Sequence, residues 1–168
     1  MITVILPDGS TKQLEEGSSA IDLAKKISRS LAKNTVAAKV NGNVVDLQTN
    51  LSDQDEVKLL SKKDSEALEV LRHSAAHLMA DAILRLFPKA QLTIGPVVDD
   101  GFYYDIYLDE GKISSEDFKA IEKQMTKLAS QSHPFERCLS DYSEADRFYQ
   151  EYQKIDGGKN KFKQEIVA

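Results

Sequence analysis

Residues 2–6, Ile-Thr-Val-Ile-Leu, form an unbroken apolar and β-branched run; turn-forming Pro7-Asp8-Gly9-Ser10 follows, and an extended pattern resumes over 11–14. This predicts a hairpin. Gly17-Ser18-Ser19 then offers a cap for a helix whose apolar residues Ala20, Leu23, Ala24 and Ile27 recur every three or four positions, so that one helix face packs on the hairpin. Residues 36–40, the dipeptide Asn41-Gly42 and Val44-Val45 predict a second hairpin with a type I′ turn, and 57–60 a last strand. The order β-β-α-β-β-β within about 60 residues describes a mixed sheet wrapped around one helix.

After the polar break Lys62-Lys63-Asp64-Ser65, residues 66–87 carry the longest helical pattern, stopped by Pro88. Residues 91–98 and 101–108 are extended runs on either side of Asp99-Asp100-Gly101, predicting a hairpin. Ser114-Ser115-Glu116-Asp117 caps a helix with Phe118, Ile121, Met125 and Leu128 on one stripe, ended by His133-Pro134. A weaker helix over 143–152, closed by Gly157-Gly158, and a strand over 162–168 complete the pattern. The expected fold class is α+β, with a ubiquitin-like roll over 1–62 and a second domain over 63–168 whose long helix packs on an antiparallel sheet.

Charge narrows the partners. In 168 residues, 22 Lys and Arg against 27 Asp and Glu leave a net charge of -5, which argues against a whole-surface grip on nucleic acid or anionic lipid. Any RNA contact is local; Lys25, Lys26, Arg29 and Lys33 make one modest basic patch. A single cysteine, Cys138, excludes an intramolecular disulfide and fits a reducing compartment. No run approaches the roughly 18 apolar residues of a membrane span, and the N-terminus reaches a polar turn too early for a signal sequence, so a cytoplasmic protein is expected.

The long helix carries the candidate chemistry. His73 and His77 stand at i and i+4, about 40° apart around the helix. Leu68, Leu71, Ala75, Leu78, Met79, Ala82 and Leu86 cluster opposite them as the expected packing stripe. Val70, Ala76, Ala80 and Leu84 flank the histidines where an open surface would carry charge, which suggests the wall of a pocket. Such a pair can share a metal ion, or place a base and a donor around a polar substrate. Ser74 stands where a zinc-protease helix needs its glutamate, and two ligands are one short of an open catalytic site, so no resident metal is expected. The plainer alternative is one packing histidine and one surface histidine.

Leu-Pro-Asp-Gly-Ser at 6–10, Val-Asn-Gly at 40–42, Leu-Arg-His-Ser-Ala-Ala-His-Leu-Met at 71–79 and Ile-Gly-Pro-Val-Val-Asp-Asp-Gly-Phe-Tyr-Tyr-Asp at 94–105 together closely resemble the N-terminal region of bacterial threonyl-tRNA synthetases. The first part resembles their β-grasp TGS domain, and the second the start of their editing domain, which hydrolyses Ser-tRNA made in error. The resemblance implies catalytic roles at the editing site for His73, His77 and Lys163, close backbone approach to substrate at Gly95, and a pocket wall at Tyr104. It implies the acceptor end of tRNA(Thr) as partner, and a homodimeric parent using ATP, Mg and a catalytic Zn in a domain outside this chain, which itself needs no cofactor. The family's Cys-x-x-x-His motif is not matched, since Tyr142 stands four residues after Cys138. The expectation is therefore a monomeric N-terminal fragment with half an editing pocket and little hydrolysis of its own. A non-catalytic RNA-binding or regulatory module, a free-standing aminoacyl-tRNA deacylase and a metal-dependent hydrolase are the alternatives.

Overall fold

A computed structural model of the chain describes residues 1–133 and 138–155. Gly157-Gly158, the expected strand at 162–168 and Lys163 lie outside the described residues. The chain divides into two compact units, Met1–Leu71 and Arg72–Ala168.

In the first unit β1 (Ile2–Ile5) and β2 (Thr11–Leu14) pair antiparallel, with Ile2 opposite Leu14 and Ile5 opposite Thr11. Further along, β3 (Thr35–Val40) lies between β4 (Asn43–Val45) and β5 (Val57–Ser61), antiparallel to both. The two groups meet where Ile5 bridges Glu56 in parallel; Ile5 N–H donates to Asp55 O at 2.8 Å and Gln54 N–H to Thr3 O at 2.7 Å. First and last strands thus run side by side at the centre, as the β-grasp order requires. Asn41 and Gly42 have φ of 49° and 86°, so the expected type I′ turn forms. The Asn41 amide also joins that turn to the approach of β5, donating to Asp55 Oδ1 at 2.7 Å and accepting from Glu56 N–H at 2.9 Å.

Helix α1 (Ala20–Ile27) lays Ala20 and Leu23 against Ile2, Val4, Leu14, Ala38, Leu51 and Val57, a core contributed by both hairpins. A second helix, α2 (Arg29–Asn34), was not expected from the pattern. Ser28 breaks α1 with an extended backbone, and its Oγ then accepts the Leu31 N–H at 3.0 Å. None of the α2 residues is buried, so no apolar periodicity marks it.

Helix α3 (Ser65–Leu86) opens within the first unit. Glu66 pairs with Lys39 at 2.6 Å and also with Lys58, while Ala67 and Val70 pack with Ala37 and Leu60. Its remainder belongs to the second unit, with β6 (Gln91–Leu92), β7 (Val97–Val98), β8 (Gly101–Phe102), β9 (Ile106–Tyr107), α4 (Phe118–Gln131) and α5 (Tyr142–Ile155). The two expected long strands are one antiparallel hairpin broken into two short ladders, β6 with β9 and β7 with β8. Pro96 has no N–H to give, and between the ladders pairing continues only through bonds such as Thr93 N–H to Asp105 O at 3.0 Å. Ala82, Ile83, Ala90, Ile121 and Leu128 form the core of this unit. Among the described residues, no helix is long and apolar enough to cross a membrane.

One local motif recurs at element starts. Ser19 precedes α1, Ser61 precedes α3 and Ser114 precedes α4, and each donates both its N–H and its Oγ–H to an aspartate three residues on, Asp22, Asp64 or Asp117. Hydrogen bonds from serine hold the Asp8, Asp22 and Asp64 carboxyls below the ordinary 3.8, with Ser10, Ser19 and Ser61 as the main donors. A folded-state pKa below the unfolded value adds stability above that value, lost as pH falls through it toward the folded pKa. The first unit is therefore expected to weaken once pH drops toward and below 3.8, with less acid sensitivity in Asp22→Asn. Urea midpoints at pH 6 and pH 3 test this; equal midpoints would refute it.

Candidate functional site

His73 and His77 sit one turn apart on α3, both solvent-exposed. Their Nε2 atoms are 3.1 Å apart and their ring centroids 4.6 Å, with the planes at 72°. At this separation one ring donates Nε2–H and the other accepts, so the pair combines a proton donor and a proton acceptor within one hydrogen bond.

The surroundings correct the expected packing stripe. Leu68 and Leu86 are 44% and 39% exposed, whereas Ala76 and Ala80, beside the histidines, are 1% and 5% exposed. Val70 packs in the first unit and Leu84 against the core of the second. Leu78, Met79 and Ala82 of that stripe do pack in the core of the second unit, but Leu68 and Leu86 at its ends do not, and the helix also buries Ala76 and Ala80, so the stripe holds only over its middle. The residues expected to form a pocket wall are thus packing residues, and the histidines stand at the margin of a buried seam.

Gly95 and Tyr104 are brought together. A Cβ placed on Gly95 would stand 2.3 Å from Tyr104 Cδ2 and 3.0 Å from its Cγ, so the ring fills the space that any side chain at 95 would need. Gly95 is not among the positive-φ glycines, so contact alone demands it. Gly95→Ala is expected to cost the second unit about 1–3 kcal/mol by overpacking, and nearly nothing in a Tyr104→Ala background. Chemical denaturation of the four-member cycle measures this; equal costs in both backgrounds would refute the contact.

Beside that ring opens a cleft of about 940 Å³, lined by Met79 and Ile83 of α3, Tyr104 and Ile106 of the hairpin, and Phe118 and Met125 of α4. Neither histidine lines it. The two-residue alternation of Tyr104, Ile106 and Leu108 and the helical stripe 118–121–125 were its visible signals. Arg72, one residue before His73, donates through Nη1 to Val98 O at 3.2 Å and to Asp99 O. Nothing in the sequence marked this contact, because its acceptors are main-chain carbonyls 26 and 27 residues away. His133 Nε2 lies 3.1 Å from Gln131 Oε1 and Cys138 is exposed, both as surface groups. Among the described residues no group of three or more His, Cys, Asp or Glu is placed to hold a metal ion.

Comparison with known proteins places the β-grasp unit first. Residues 2–61 match the family model of the TGS domain. Over nearly its whole length the chain is similar to proteins named threonine--tRNA ligase. It is 46% identical to that of Maricaulis maris over 151 residues, 90% of this chain and 23% of the relative. It is 42% identical to that of Desulfatibacillum aliphaticivorans over 168 residues, 100% of this chain and 25% of the relative. To that of Staphylococcus saprophyticus it is 39% identical over 166 residues, 99% and 24%. The chain spans about a quarter of the length of the curated relatives it matches.

Proposed function

We propose that the chain is the N-terminal part of a cytoplasmic threonine--tRNA ligase, and that its second unit supplies half of a hydrolytic site that removes serine from mischarged tRNA(Thr). The observation that carries the site is the pair of exposed imidazoles with Nε2 atoms 3.1 Å apart on one face of α3. Serine lacks only a methyl group of threonine, and a pocket that must accept threonine rejects the smaller residue by only about 1–3 kcal/mol, so a second, hydrolytic sieve is the physical remedy.

In this reading one imidazole accepts a proton from water as the water oxygen attacks the ester carbonyl. The other donates to the terminal ribose of the tRNA. The carbonyl carbon to ribose oxygen bond breaks, serine leaves as its carboxylate, and the tRNA regains its hydroxyl. Lys163 is assigned to the ester and Tyr104 to the pocket wall. Gly95 contributes by admitting the Tyr104 ring, an indirect form of the substrate approach assigned to it. The parent joins threonine to tRNA(Thr) using ATP, with Mg and Zn held outside this chain, and is a homodimer; the 168-residue chain alone is a monomer.

The test is serine release from Ser-tRNA(Thr) by the longer gene product that contains this chain. Release is expected there, Thr-tRNA(Thr) is spared, and the chain alone is nearly inactive. A longer product that leaves Ser-tRNA(Thr) intact would overturn the reading.

A further inference from the structure

The β7–β8 hairpin turns through Asp99-Asp100, with Val98 opposite Gly101. Two-residue connections match the twist of their strands in the I′ and II′ forms, which need positive φ at the first loop residue. Asn41-Gly42 in the first unit meets that requirement, whereas neither Asp99 nor Asp100 has positive φ. Each strand here is two residues long, and this tip is joined to the β6–β9 ladder only through irregular pairing, with Tyr103 N–H donating to Pro96 O at 3.4 Å and Asp105 N–H to Ile94 O at 3.0 Å. A contact from outside the hairpin therefore adds to the hold on its tip.

Arg72 supplies the constraint. Its Nη1 donates to the carbonyls of Val98 and Asp99, the last residue of β7 and the first of the turn. A guanidinium is a rigid, permanently charged fork that can hold adjacent acceptors, while a lysine ammonium is a mobile point charge. Arg72 directly precedes His73, and the hairpin it grips also carries Gly95 and Tyr104. We infer that Arg72 is a positioning residue of the hydrolytic site: by locking the Asp99-Asp100 turn to α3 it fixes the hairpin that bears Gly95 and Tyr104 to the helix that bears the paired imidazoles. This role rests on the function proposed above.

The experiment compares wild type with Arg72→Gln and Arg72→Lys in two measurements. Amide hydrogen exchange over residues 97–103 of the 168-residue chain reads the anchoring. Steady-state hydrolysis of Ser-tRNA(Thr) by the longer product reads the consequence. In Arg72→Gln, exchange is expected to quicken about tenfold or more and kcat to fall about tenfold or more, with KM within about twofold and Lys giving partial rescue. Unchanged exchange overturns the anchoring, and so does an unchanged kcat for the positioning role. A kcat loss matched by an equal loss of folded protein on thermal denaturation also overturns it, since the effect is then only structural. If the wild-type longer product itself releases no serine, the function fails and the positioning role with it, while the exchange result still reports separately on the anchor.

Discussion

Replacing His73 and His77 together by Ala in the longer gene product is expected to slow hydrolysis of Ser-tRNA(Thr) by about 10²–10⁴-fold while leaving threonylation within about twofold. The expectation follows from the geometry of the pair. Nε2 to Nε2 at 3.1 Å, on exposed rings one turn apart, gives one group that can take a proton and one that can give it. No other histidine in the described part of the chain can replace either, since His133 lies at the end of α4 beside Gln131. Single replacements are expected to cost nearly as much as the double one, because a lone imidazole cannot both activate water and stabilise the departing hydroxyl. Serine release from the variants in a single-turnover assay, with threonylation followed in parallel, checks this. A double variant that hydrolyses at the wild-type rate removes both histidines from the chemistry.

The second large effect is on folding. Leu23 is fully buried where α1 meets both hairpins of the first unit, alongside Val4 and Val57, which are 0% and 1% exposed. Leu23→Ala removes its contacts and leaves a cavity that neighbours on two β-hairpins cannot close, at a cost of about 2–5 kcal/mol. A unit of about 70 residues has a stability of only about 4–10 kcal/mol, so much of it would be lost. The first unit of the variant is expected to unfold at clearly lower urea concentration, read by circular dichroism or tryptic cleavage. An unchanged midpoint would mean that Leu23 does not close this core. Leu68→Ala on the exposed side of α3 serves as control, because a residue 44% exposed has few contacts to lose.

How far the fold could be read in advance differs between the two units. In the first, each element announces itself locally. The run 2–6 is β-branched, Asn41-Gly42 accepts the positive φ of a type I′ turn, and Ala20, Leu23 and Ala24 trace one helix face. Only α2 escaped, being short, unburied and dependent on the Ser28 cap. In the second unit the pattern overreached. The runs 91–98 and 101–108 have the composition of long strands, yet Gly95-Pro96 interrupts the ladder and the Tyr104 ring occupies the gap.

By itself the sequence determined where the histidines stand on their helix, the type of the Asn41-Gly42 turn and the β-grasp order, because these follow from spacing and from backbone preferences of neighbouring residues. Tertiary structure alone decided three other matters. It turned α3 so that Ala76 and Ala80 are buried while Leu68 and Leu86 face water; it set the Tyr104 ring on Gly95; and it brought Arg72 to carbonyls 26 and 27 residues away. A helical pattern records which residues are apolar but not which partner covers each face, and a main-chain carbonyl carries no side-chain signature. Contacts of those two kinds exist only once distant segments have packed.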